Sequence, residues 1–314
     1  FTVQDVYEGL GSAVARGQVK YLQVSQEVPS PLQTLANGEY RSSHQSFTDF
    51  YASPIHLVTG PRSSYLTRST NALEPHAFRA GEAAAAGEGV TTVTEHYGWP
   101  SYVAKAVLGV VPVADDGSAN FTAPAGKVLY FHLLDKDFNE LQRMRSVVQL
   151  QPGEQRSCIG CHEPRSAAPP RPVAQPLART AESLTPPPWG AVPFDYEHIV
   201  QPVLDAQCVR CHDATAGAQL DLRGVRDAQR VPASYRSLIT GGWVHYFDWH
   251  YGARHFKAEP LSFGTLQSRL FAVLADDQHR EVALTSDQRR ALTAWIDLNC
   301  PLWPDYQFRE QRAQ

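Results

Sequence analysis

Apolar and polar positions change rhythm near the middle of this chain. Before about residue 150 the apolar residues come in short runs separated by turn-forming Gly and Asp; after about 194 they recur at helical spacing. Val19–Val24 is rich in strand formers, although its period-two alternation breaks at Leu22. Ala106–Val113 and Ser118–Thr122 flank Asp115-Asp116-Gly117, a hairpin signal in which the glycine supplies a positive φ. Lys127–Leu134 reads as a buried strand followed by an Asp-rich turn. The stretch 36–90, with Gly81–Gly87 inside it, is rich in Ser, Gly and Ala and reads as long loops with short helical pieces.

Nine prolines fall between Pro164 and Pro193, a density that excludes helix and central strand and favours an extended strap, expected to pack over the motif preceding it. Beyond it, Asp195 is placed to cap a helix running through Ile199, Val203 and Leu204 into Cys208. Thr285-Ser-Asp-Gln288 has the spacing of a capping box; Leu292, Trp295, Ile296 and Asn299 follow on one face, and Pro301 ends the helix. The expected fold class is α+β: a β-sandwich-like domain over 1–155, a linking segment over 156–193, and a mainly α-helical domain over 194–314.

The chain's 314 residues give room for two compact domains, and a net charge of −4 without any Lys/Arg cluster argues against nucleic acid as a partner. No stretch approaches the ~18 consecutive apolar residues of a membrane span. Phe1-Thr-Val-Gln has neither a basic nor an apolar leader region, so the expectation is a mature chain from which an export signal has been removed.

Cysteine usage changes the picture most. Cys158-Ile-Gly-Cys161-His162 and Cys208-Val-Arg-Cys211-His212 use four of the five cysteines in the pattern of covalent haem c attachment. Two thiols three positions apart form thioethers with the vinyl groups of one porphyrin, and the adjacent histidine ligates its iron. With five Cys and 12 His in the chain, composition alone leads one to expect roughly 0.003 such matches, so two are no accident. A four-thiolate zinc site is the competing reading, but zinc ribbons separate their pairs by about 15–20 residues, far fewer than lie between Cys161 and Cys208, and zinc does not require histidine twice at the fifth position. Two covalently bound haem c groups are therefore expected. Haem c is attached outside the cytoplasm, which makes the expected location periplasmic or extracellular.

Three stretches carry a family resemblance: Val107–Phe121, Met144-Arg-Ser with Gln151–Arg165, and Trp295-Ile-Asp-Leu-Asn299. Together they resemble the C-terminal part of the hydrazine synthase α-subunit-like cytochromes, large exported proteins that often carry a β-propeller upstream. Ala216–Gly224 also resembles planctomycete-type cytochrome c domains. The likeness implies fold more than activity, since members with different activities share these motifs.

The sixth iron ligand separates electron transfer from chemistry, because an iron with two strong axial ligands has no position for a substrate. For haem 2 no methionine follows Met144, so bis-histidine ligation is expected, with His279 the best candidate, at the place of the family's Gly-His-His-type motif. For haem 1, His250 and His255 compete with His96; they lie with His245 in an aromatic-rich segment, and His132 and Met144 are further contenders. In the hydrazine synthase branch the corresponding haem uses a tyrosine four residues after the motif histidine. Here Ser166 stands at that position, which argues against importing hydrazine chemistry. The leading expectation is a di-haem electron carrier serving other cytochromes or redox proteins, in a homo- or hetero-oligomer or filament. The alternative is a haem enzyme subunit with an open haem 1 and haem 2 as relay. Cys300 reads as a buried structural thiol.

Overall fold

The computed structural model describes residues 1–29, 32–34, 40–42, 104–144, 146–161, 179–214, 220–228, 230–246, 259–279 and 281–304. Its class is α+β with a sheet-rich N-terminal part. The chain divides into two compact units: Phe1–Val28, Lys105–Phe194 and Ala258–Asn299 form the first, and Pro29–Ala104, Asp195–Lys257 and Cys300–Gln314 the second.

Unit 1 is built on an antiparallel sheet in the order β5-β2-β7-β8, with β2 Tyr21–Glu27, β5 Lys105–Pro112, β7 Val128–Leu134 and β8 Glu140–Arg143. A smaller sheet joins β6 (Ala119–Asn120), β1 (Thr2–Val3) and β9 (Ser157–Cys158). Both sheets feed one apolar core that includes Val3, Leu22, Val24, Val111, Phe121, Leu129, Phe131 and Leu133. Phe131 meets the rings of Phe1 and Phe121 edge-on, with centroids 4.9 and 5.8 Å away. Burial of such aromatics supplies much of the driving force for a core of this size.

The turn at Asp115-Asp116-Gly117 forms as the sequence predicts, with Gly117 at φ 86° and its N–H donated to the Ala114 carbonyl at 2.8 Å. The hairpin does not. β5 pairs with β2, and the strand after the turn pairs with β1. A turn fixes chain direction over a few residues, whereas strand partners are selected by long-range burial, which local pattern does not encode.

The described end of the Pro-rich segment, 179–193, runs along the outer edge of β5. Val110 and Thr185 exchange both backbone hydrogen bonds at 3.0 and 2.9 Å, and Phe194 N–H donates to Lys105 O at 2.7 Å. This described end of the segment blunts an exposed strand edge, and its prolines fall where no ladder donor is needed; the part of the expected strap next to the Cys158–Cys161 motif is not among the described residues. Residues 162–178 lie outside the described residues.

The described helices of the C-terminal part are short: α1 Gln201–Gln207, α2 Ala233–Thr240, α3 Arg269–Leu274 and α4 Ser286–Asp297. The capping box expected at Thr285 is present, Thr285 Oγ1 accepting the Gln288 N–H at 3.2 Å and Gln288 Oε1 accepting the Thr285 N–H at 3.0 Å. α4 and α3 cluster with the sheet in unit 1, where α4 packs on the 3₁₀ turn Gly264–Gln267. Leu32–Thr34 (β3) and Tyr40–Ser42 (β4) form an antiparallel pair in unit 2, so part of the stretch read as loop is strand; most of it lies outside the described residues.

Candidate haem attachment sites

The motif at 208–212 sits at the end of a helix. Asp195 caps the first turn, accepting the Glu197 N–H at 2.9 Å, and the chain passes through a π-helical turn, Tyr196–Val200, into α1. Pro202 lies in the first turn of α1, where it lacks no needed donor. Cys208 is the C-cap residue, its N–H donated to Leu204 O at 2.8 Å. Its carbonyl accepts from the N–H groups of Cys211 and His212 at 3.1 and 3.0 Å, so two thiols and an imidazole are gathered on one tight turn. That donor set fits haem c: both sulfurs and a nitrogen ligand come from five consecutive residues. Burial, and secondarily the neighbouring Cys211 thiol, push the Cys208 pKa up to about 11, so it stays protonated at neutral pH. Cys211 is exposed.

A buried polar chain fixes the helix that delivers this turn. Tyr196 donates its hydroxyl to Ser234 at 2.9 Å, Ser234 donates to Gln201 Oε1 at 2.5 Å, and Gln201 Nε2 donates to Leu222 O at 3.0 Å and Asp205 at 2.8 Å. Tyr196 packs edge-on against Tyr235, whose hydroxyl donates to Cys300 O at 2.7 Å. Sequence reading missed this network, since isolated Gln, Ser and Tyr carry no pattern until α1 and α2 are brought together. Cys300 is buried, as expected, and its carbonyl accepts the Tyr235 hydroxyl.

The motif at 158–162 is built differently. Cys158 belongs to β9, which pairs in parallel with β1. Gln4 and Asp5 donate backbone N–H groups to Cys158 O and Ile159 O, both at 3.0 Å, and Cys161 N–H returns to Glu8 O at 3.2 Å. The motif is thus clamped along the segment Thr2–Glu8, and Cys161 packs partly against the apolar core. A methyl group on Gly160 would run into the Cβ and carbonyl oxygen of Glu8. Gly160→Ala therefore forces backbone apart, and the expected outcome is loss of most covalent haem at this motif with haem at 208–212 retained, read by intact-chain mass spectrometry. The two thiols fit the same group; His162 lies outside the described residues.

Among the described residues no set of three or more His, Cys, Asp or Glu side chains is gathered to hold a metal ion directly, so the zinc reading gains nothing. Of the sixth-ligand candidates, His96, His250 and His255 lie outside the described residues. His279 ends a 3₁₀ turn, Asp277–His279, in unit 1, half-buried, its N–H donated to Asp276 O at 2.9 Å. His245 is exposed. Of the other contenders, His132 is buried within the central sheet beside Glu140, and Met144, like Cys161, packs partly buried against the apolar core.

Among the described residues no helix is long and apolar enough to cross a membrane. Residues 68–163 match the family model of the hydrazine synthase alpha subunit middle domain, a span that takes in the whole first motif. A search of curated proteins finds no match. Among solved structures, a chain of Kuenenia stuttgartiensis hydrazine synthase superposes with a TM-score of 0.56 at 20% identity, over 98% of this chain and 44% of that one. This chain therefore spans less than half of the one it superposes on. Over 68–163 the chain is thus similar in sequence to the middle domain of the hydrazine synthase alpha subunit, and over nearly its whole length it is similar in fold to a chain of hydrazine synthase.

Proposed function

We propose that this chain is the haem-bearing part of an oxidoreductase subunit of the hydrazine synthase α type. In this reading it carries two covalent haem c groups, the one at Cys158, Cys161 and His162 being the small-molecule site and the one at Cys208, Cys211 and His212 the electron relay. The observation that carries the reading is that the first motif lies wholly within the residues matched by the α-subunit model. The different settings of the two motifs support it: one ends a helix, the other is clamped in a sheet.

When bound, haem supplies an iron that exchanges single electrons and, where a coordination position is open, binds small molecules. The chain's own residues do the positioning. The Thr2–Glu8 pairing holds Cys158 and Cys161 in line, and the Tyr196–Ser234–Gln201 chain holds α1 and the turn after it. His162 and His212 are the proximal ligands in this reading. Ser166 in place of the tyrosine leaves hydrazine formation itself unassigned; a small nitrogen compound is the substrate class. The "alpha subunit" in the matched family's description implies partner subunits, and haem c implies an exported location.

The test is low-temperature EPR of the oxidised holoprotein, with and without hydroxylamine or nitric oxide. The expected result is one high-spin haem per chain whose signal the nitrogen ligand abolishes, beside one low-spin haem that it leaves alone. Two low-spin signals indifferent to ligand would overturn the enzyme reading and leave an electron carrier for other redox proteins.

A further inference from the structure

The second face of the central sheet is polar, yet buried. Gln23 and Ser25 on β2, His132 on β7 and Glu140 on β8 are each at most 4% exposed, and Asp297 at the end of α4 is 3% exposed. Arg143 donates Nε and Nη2 to the two oxygens of Glu140, both at 2.8 Å, with its guanidinium 4.3 Å above the Phe263 ring. His132 Nδ1 lies 3.1 Å from Glu140 Oε1, within ion-pair range but off hydrogen-bond geometry, and His132 Nε2 is buried without a partner. Asp297 accepts the Thr265 N–H at 2.7 Å and the Glu140 N–H at 3.1 Å, tying α4 to the 3₁₀ turn and to β8.

Counting charge in this cluster leaves a deficit. Two carboxyl groups face one permanent cation, and a buried unpaired charge is strongly disfavoured. Glu140 takes the cation bidentately, and Asp297 is left with backbone donors only, at a helix C-terminus where the dipole opposes negative charge. The other titratable groups on this face are Tyr130 on β7, Tyr21 and Glu27 on β2, and Lys105 of β5 opposite Glu27; the Gly264–Gln267 turn adds no titratable group. The remaining charged side chains of α4, Asp287, Arg289 and Arg290, lie about two turns or more toward its N-terminus.

We propose that Asp297 is a proton-binding site: protonated, its oxygens latch the end of α4 onto the N–H groups of Glu140 and Thr265 without a buried charge, and release of this proton loosens the latch by leaving that charge unpaired. Burial, and then the neighbouring Glu140 charge, raise the Asp297 pKa from 3.8 to about 8. Glu140 goes the other way: burial alone would raise it, but Arg143 and His132 hold it low. The unfolded chain loses the Asp297 proton at far lower pH than the folded one. Between these pKa values the folded state binds more protons, so the latch contributes less as pH rises from about 4 to about 8, and its contribution is level above that.

The proposal is tested on the full holoprotein by urea unfolding at a series of pH values, wild type against Asp297→Asn. The wild-type midpoint falls between about pH 5 and about pH 8, and the variant is flatter over that interval. Equal slopes in the two proteins would overturn the proposal. Should Asp297→Asn not fold, infrared titration of the wild type keeps the question open to disproof. A protonated-carboxyl C=O stretch persists above about pH 6 and disappears near pH 8, and Glu140→Gln moves its loss to lower pH by removing the adjacent negative charge. No such band above about pH 6, or a Glu140→Gln titration identical to wild type, sinks the idea.

Discussion

On the proposed reading, replacing Cys208 and Cys211 by serine is expected to leave one covalent haem per chain, and replacing Cys158 and Cys161 is expected to leave the other. A thioether forms when a cysteine S–H adds across a vinyl double bond, so a hydroxyl at the same position makes no stable link. The readout is the mass of the denatured chain, because His212 or His162 alone can hold haem non-covalently in the folded protein. The two double variants differ in a second respect. The one lacking Cys208 and Cys211 keeps a haem that binds nitric oxide in its oxidised spectrum, while the one lacking Cys158 and Cys161 does not. A double variant that retains two haem masses after denaturation would disprove the attachment reading. Ligand binding in both double variants, or in neither, would contradict the division of labour between the haems.

Trp295→Ala carries the largest expected loss of stability. Trp295 is 0% exposed on α4 and is among the largest completely buried side chains of the protein. Truncating such a residue removes its transfer free energy and leaves a cavity, a cost of about 3–5 kcal/mol. α4 holds its place by a capping box at one end and the Asp297 backbone bonds at the other, so the helix has little freedom to collapse into the space. The expected outcome is a marked drop in the urea midpoint by far-UV circular dichroism, partly restored by Trp295→Phe. A midpoint within error of wild type would mean that α4 contributes little to the fold.

Local signals were legible where a single residue type has a stereochemical duty. Asp195, Thr285 with Gln288, Gly117 and Pro301 mark helix starts, a turn and a helix stop, and each does so in the structure. Lys127–Leu134 was legible as a buried strand because it is apolar on both faces except at His132. Val19–Val24 was harder. Its break in alternation at Leu22 disguises a strand whose Leu22 and Val24 enter the apolar core while Gln23 and Ser25 lie buried on the other face. Polar residues usually mark a wetted face, and here they mark a buried one.

The two Cys-x-x-Cys-His motifs are a property of the chain itself, because covalent attachment needs only two thiols and an imidazole within five residues. Caps, turns and the α+β class are likewise decided by local stereochemistry and periodicity. The partners of those elements are not. That β5 joins β2 and not the strand after its own turn, that the Pro-rich segment covers a sheet edge, and that one motif ends a helix while the other is clamped by Thr2–Glu8 follow from contacts between residues up to about 150 positions apart. Asp297 shows why. In sequence it is one more acidic residue near the end of an amphipathic helix; only burial beside Glu140, with Arg143 already engaged, gives it a reason to keep its proton.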